Sequence, residues 1–150
     1  MGGWIKELEE RGLSRGNLMG ARLNRANLEW AQLSQSKMMR ANLMGAYLMG
    51  ASLNGANLTS ADLMKVDLTF ADLSNADLSN ADLQSASLTG ANLIGADLSQ
   101  ARNLDAKQLK TAILSPDTQL PGYLKEEMAA EAGAHANAEA GLDKHFESTS

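Results

Sequence analysis

The sequence predicts an all-β solenoid, a tube of short extended segments wound around a leucine core. Three observations predict it. From Leu13 to Leu98 every fifth residue is Leu, with Met38 the single substitute in 18 positions. Two residues before each centre, 14 of the 18 positions are Ala, the exceptions being Arg11, Gly16, Ser36 and Val66. Between the two, 11 positions are Asp or Asn, as in Ala71-Asp72-Leu73 and Ala91-Asn92-Leu93.

A period of five suits neither regular structure. On an α-helix, at about 100° per residue, each step of five turns the next Leu by roughly 140°, so the leucines would spiral over the whole surface. In a flat strand an odd step sends successive leucines to opposite sides. The pattern closes only if the chain bends once per repeat, so that a short extended segment with Ala and Leu inward is followed by a two-residue corner. The Asp or Asn between them then faces water. Corners carry Gly20, Gly45, Gly50, Gly55, Gly90 and Gly95, with Asn75 and Asn80, residue types that tolerate the dihedrals of tight turns.

Composition agrees. Leu and Ala each occur 24 times in 150 residues, aromatics make up 4%, and Val66 is the sole valine, which excludes an ordinary core of β-branched and ring side chains. The absence of cysteine excludes disulfides, thiolate metal sites and a cysteine nucleophile. A net charge of -5 argues against a basic nucleic-acid-binding coat. The start, Met1 to Glu7, meets charged residues before any run long enough for a signal peptide, and no stretch of 18 apolar residues occurs. A cytoplasmic chain with no membrane association is expected.

Runs such as Ala61-Asp62-Leu63-Met64-Lys65 and Ala76-Asp77-Leu78-Ser79-Asn80 resemble the Ala-(Asp/Asn)-Leu-x-x unit of the pentapeptide repeat family, over residues 13–100. The resemblance implies a right-handed quadrilateral β-helix with four repeats per coil. That gives about four and a half coils and, at ~4.8 Å per strand spacing, a rod about 22 Å tall. Residues twenty apart then stack in adjacent coils.

Both ends of such a stack need covers. Residues 1–12 read as an N-terminal capping helix, with Trp4, Ile5 and Leu8 on one side and Lys6, Glu7, Glu9 and Glu10 between them. After Leu98 the register slips, because Ala101-Arg102-Asn103-Leu104 carries one residue too many. Asp105 can cap a helix over 106–114 with Leu109, Ala112 and Ile113 on its apolar side, ended by Ser115-Pro116, which makes 101–123 a C-terminal cap. Residues 112–121 resemble the C-terminal cap of bacterial, especially cyanobacterial, family members. The Ala- and Glu-rich tail over 124–150 is expected to be weakly helical or disordered, without a strong apolar stripe.

No catalytic constellation emerges. His135 and His145 lie in the tail without ligand-like grouping. Asp62, Asp67, Asp72, Asp77, Asp82 and Asp97 are spread over four faces, where solvated surface positions account for them. There is no phosphate loop, nucleophile elbow or zinc signature. The expectation is a non-enzyme that needs no cofactor or metal.

Two surface features point to binding instead. Met19 stacks under Met39 and Met44 under Met64, with Met49 on the next face, while Trp30, Tyr47 and Phe70 hold outward positions on a nearby face; Met and aromatic side chains are common at interfaces. Charge is also polarised. Residues 11–40 hold Arg11, Arg15, Arg22, Arg25, Lys37 and Arg40 against Glu29, a balance of +5, and residues 57–100 hold the six aspartates against Lys65, a balance of -5. This favours an oriented protein partner or self-association, as a homodimer or head to tail. The leading reading is a protein-interaction scaffold with no direct nucleic-acid contact. The rival, implied by the resemblance, is a DNA-mimicking inhibitor or protector of DNA gyrase or another type II topoisomerase. The acidic half supports mimicry and the basic opening half opposes it.

Overall fold

The computed structural model describes residues 12–128, and in it the period of five becomes a four-sided coil. Every centre from Leu18 to Leu98, Met38 included, is buried, and so are the residues two before them from Ala26 to Ala96. They form one continuous core column. Residues twenty apart pair in parallel bridges and build four ladders. Face 1 runs 17, 37, 57, 77, 97 and 119; face 2 runs 22, 42, 62, 82 and 102; face 3 runs 27, 47, 67 and 87; face 4 runs 32, 52, 72, 92 and 113.

The repeat Ala56-Asn57-Leu58-Thr59-Ser60 shows how the backbone is satisfied. Ala56 N–H closes the preceding turn on Leu53 O at 3.0 Å, and Asn57 N–H donates to the coil before it, at Ser36 O, 2.9 Å. Leu58 and Ser60 N–H donate to the coil after it, at Asp77 O and Ser79 O, both 2.8 Å. The fifth amide, that of Thr59, points at no carbonyl and is taken by the Asn57 side chain at 3.0 Å. In the eleven repeats with Asp or Asn before the centre, that side chain thus completes the pairing that buried backbone requires.

Each corner combines an i to i+3 bond with a left-handed third residue, the signature of a type II turn. From Arg15 to Gly95 that residue has φ between 57° and 71° in every repeat. Glycine and asparagine fill only some of these positions; Trp30, Phe70, Lys65 and three arginines adopt the same dihedral. Coil closure therefore overrides a local penalty of about 1–2 kcal/mol per non-glycine residue.

The C-terminal segment extends the ladders irregularly. Arg102 pairs with Asp82, then Ile113 with Asn92 and Gln119 with Asp97, so one and then a second extra residue are absorbed. The helix expected over 106–114 is not formed. Asp105 and Gln108 do make the reciprocal capping pair, at 2.8 and 2.9 Å. The bonds that follow are of i to i+3 type, Leu109 to Ala106, Lys110 to Lys107 and Ala112 to Leu109, each 3.2 Å. The reason is Ile113, held as a strand rung by Ala91 O and Leu93 N–H at 2.8 Å each, which a helix through 114 would pull away. Gln108 also donates its side-chain amide to Leu83 O at 2.7 Å and Ala86 O at 3.0 Å, covering the end of face 3, where the ladder stops. Helix α1, 122–128, then buries Leu124 and rests Met128 on the core. The Tyr123 hydroxyl donates to Leu104 O at 3.1 Å. The capping helix expected over 1–12, apart from Gly12, and the tail beyond 128 lie outside the described residues.

Candidate interaction surface

Stacking with a step of twenty assigns every outward side chain to a face or a corner. Met19 and Met39 occupy the corner after face 1, and Met44 and Met64 the corner after face 2. Face 3 lies between that second corner and the next, which carries Met49, Trp30 and Phe70; Tyr47 sits at its middle. The fold therefore gathers Met44, Met64, Tyr47, Met49, Trp30 and Phe70 around one side and leaves Met19 and Met39 apart, across face 2. Exposure sharpens the picture: Trp30 is 68% exposed, Phe70 64%, Tyr47 50% and Met44 39%. Met39, Met49 and Met64 are half-buried.

The corner glycines hold a second role that the sequence reading did not find. A Cβ added to Gly50 would overlap the six-membered ring of Trp30, and one added to Gly90 would meet Phe70 Cδ1 and Cε1 at 2.5 Å. Gly95 stands in the same relation to Asn75, and Gly45 lies under Arg25 Cγ. The large side chain of one coil thus rests on the bare backbone of the next. Gly20, with open space around it, needs glycine for its dihedral alone. The signal was legible as a bulky corner residue followed twenty positions later by Gly.

The aspartates are not the simply solvated groups expected. All eleven Asp or Asn residues before a centre accept the N–H two residues on, for example Met44 to Asn42 at 3.1 Å, Ser74 to Asp72 at 3.0 Å and Ser99 to Asp97 at 2.9 Å. Where Ser or Thr follows, its hydroxyl donates to the same oxygen, at 2.6 Å for Thr69 on Asp67 and Ser79 on Asp77. All six carboxylates are half-buried. Asp62 stacks under Asp82 on face 2 and Asp77 under Asp97 on face 1. The Ser99 hydroxyl and amide hold the Asp97 carboxyl below the usual carboxylate range, against the opposing effect of partial burial. These donors are local turn partners, and no group of three or more His, Cys, Asp or Glu among the described residues is arranged to hold a metal ion.

Of the basic residues described, Arg15, Arg22, Arg25, Lys37 and Arg40 lie in the first coils, whereas Lys65 is mid-rod, Arg102 pairs with Asp82 at the end of face 2, and Lys107, Lys110 and Lys125 belong to the C-terminal segment. Arg22 opens the face 2 column below Asn42 and Asp62; Lys37 sits on face 1, Arg40 on the corner after it, and Arg25 with Lys65 on the corner bordering face 3. Among the described residues no helix is long and apolar enough to cross a membrane.

The family model for pentapeptide repeats matches eight copies, over residues 13–38, 41–80 and 61–100. The chain belongs to the pentapeptide repeat family. Members fold as right-handed quadrilateral β-helices, and the four ladders here are that architecture. The pentapeptide repeat protein alr5209 from Nostoc PCC 7120 is 32% identical over 75% of this chain and 94% of its own, with a TM-score of 0.46. HetL, a pentapeptide repeat protein involved in heterocyst differentiation regulation from the cyanobacterium Nostoc sp. strain PCC 7120, is 30% identical over 71% of this chain, with a TM-score of 0.42. The chain spans 58% of HetL's length. QnrB1, a plasmid-mediated fluoroquinolone resistance protein, is 18% identical over 80% of this chain and 72% of its own, with a TM-score of 0.32. No curated protein matches the chain.

Proposed function

We propose that this pentapeptide repeat protein is a non-catalytic scaffold that engages a protein partner through face 3 and its two bordering corners. One observation carries the reading: Trp30, Tyr47, Phe70 and Met44 are exposed together on one side of a rod whose Leu core is already complete. The fold does not need these rings outside, and contiguous exposed aromatic surface is the usual material of interfaces. Four and a half regular coils closed by caps at both ends, in a cytoplasmic bacterial protein, complete this reading. The test is affinity capture from the native host with the full chain and with a Trp30→Ser/Tyr47→Ser/Phe70→Ser variant. A partner held by the first and lost by the second supports the scaffold; equal capture by both removes face 3 from the account.

The stacked pairs Asp62/Asp82 and Asp77/Asp97 favour the second reading, DNA mimicry toward gyrase or another type II topoisomerase. Arg22, Arg25, Lys37 and Arg40 oppose it by making the first coils basic, and the carboxylates are engaged with their own backbone. A supercoiling assay with purified gyrase separates the two: inhibition or protection at stoichiometric protein would favour the mimic.

A further inference from the structure

Face 3 is bordered by two unlike rails. The left-handed positions of the corner before it read Arg25, Gly45, Lys65, and those of the corner after it read Trp30, Gly50, Phe70. A cation and a ring therefore stand level with each other on opposite borders, once in the coil below Tyr47 and once in the coil above it. Arg25 Cγ lies over Gly45 and the Trp30 ring over Gly50, so both side chains lean the same way along the rod and stay level. All four large side chains are exposed.

Charge selects the occupant. Face 3 and its two corners carry Arg25 and Lys65 against Glu29 and Asp67, so the strip is neutral and has no net pull on an acidic or a basic partner. Its charges are nonetheless sorted. Both cations stand on one border, Glu29 stands beside Trp30 on the other, and Asp67 lies at the middle. A two-fold interface sets such a patch against itself, residue i on residue j and j on i. With the axis along the rod, the borders exchange at each level: Arg25 meets the partner's Glu29 and the partner's Trp30, and Lys65 meets the partner's Phe70. Each cation gains a ring face, and Arg25 gains a carboxylate as well. Tyr47 meets its own copy on the axis, as does Asp67, whose two carboxylates are flanked by both Lys65 side chains. With the axis across the rod, the borders are kept and the coils reversed, which sets Arg25 on the partner's Lys65 at both ends. Like charges so placed oppose that arrangement.

We infer that face 3 pairs with face 3 of a second copy of this chain in a parallel two-fold dimer. The inference rests on the reading of face 3 as an interaction surface and names its occupant. The strip covers four rungs, roughly 19 Å, by a five-residue side of at most about 16 Å, or on the order of 300 Å². A standard interface buries about 800 Å² per partner, so the dimer is weak and forms as concentration rises.

Sedimentation equilibrium of the full chain over a concentration series tests it, with circular dichroism to verify that each variant is folded. Arg25→Glu/Lys65→Glu makes the strip acidic and Glu29→Lys/Asp67→Asn makes it basic, the asparagine keeping the oxygen that accepts the Thr69 amide. Each variant alone loses self-association by about tenfold or more, and an equimolar mixture of the two recovers it. Orientation is read by a short bismaleimide on Ser87→Cys, since the chain has no other thiol. Two coils above Tyr47 on the same face, this site meets its own copy across about 10 Å in the parallel dimer and stands roughly 19 Å from it along the rod in the reversed one. Ser87→Cys is therefore cross-linked, whereas Ser52→Cys on face 4 is not. A parent still monomeric at about 1 mM overturns the inference. So does a dimer that both charge variants retain, a mixture that fails to recover it, or a dimer in which Ser87→Cys stays unlinked. None of these results touches the capture experiment, so self-pairing can fail while the partner-binding reading stands.

Discussion

Asp72 offers a direct test of what the acidic positions do. Its Oδ1 accepts the Ser74 N–H at 3.0 Å and the Ser74 hydroxyl at 2.6 Å, in a half-buried turn whose amide has no carbonyl partner. Its ladder neighbours, Ser52 and Asn92, carry no charge, so the substitution is free of like-charge relief. Asp72→Ala leaves the Ser74 amide unpaired and should cost about 1–3 kcal/mol, the penalty of an unsatisfied buried donor. Asp72→Asn keeps the accepting oxygen and loses only charge assistance, so its cost should stay below about 1 kcal/mol. Urea denaturation followed by circular dichroism reads both. If alanine and asparagine are equally harmless, the position is merely solvated and the backbone accounting is wrong; if both are equally damaging, charge rather than acceptor geometry is what matters.

Ser36 takes an alanine position, and its buried hydroxyl has no hydrogen-bond partner. Ser36→Ala should stabilise the protein by about 1 kcal/mol in the same denaturation assay. Gly20→Ala meets open space at φ 67° and should cost only about 1–2 kcal/mol for the left-handed dihedral. Gly50→Ala should cost more, and the excess should vanish in a Trp30→Ala background, because only the overlap with that ring distinguishes the two sites. Asp97, with its carboxyl held low in the folded state, contributes stability that is present above the unfolded aspartate value of about 3.9 and is lost as pH falls through the folded value. Ser99→Ala should move the Asp97 carboxyl resonance titration upward and shift the acid limb of the stability curve toward neutral pH.

The leucine spacing made most of this fold legible, because an odd period admits few geometries and the Ala two residues earlier fixes the inner face. The outward arrangement followed from the step of twenty, which correctly paired Met19 with Met39 and Met44 with Met64. What escaped reading depended on tertiary register. Asp105 and Gln108 carry a true helix-start signal, yet Ile113 is claimed by the ladder at Asn92, and a long-range strand contact defeats the local preference for a helix. The Asp and Asn side chains were placed facing out, which is correct for direction, but their bond to the backbone two residues on reflects an amide left over by coil geometry. The gathering of Trp30, Tyr47 and Phe70 was visible as proximity; their seats on Gly50 and Gly90 required knowing how side chains lie over the following coil.

Because the chain lacks cysteine, engineered pairs test the register cleanly. Ser60 and Asn80 share one corner in adjacent coils, both at φ 59°, and should stand about 4.8 Å apart, within disulfide range. Ser60→Cys/Asn80→Cys should oxidise to an internal disulfide with the fold retained, whereas Ser60→Cys/Ser85→Cys, offset by one corner, should remain reduced. Absence of the first cross-link in folded protein, or equal formation of the second, would contradict a coil of twenty residues and the face assignments that follow from it.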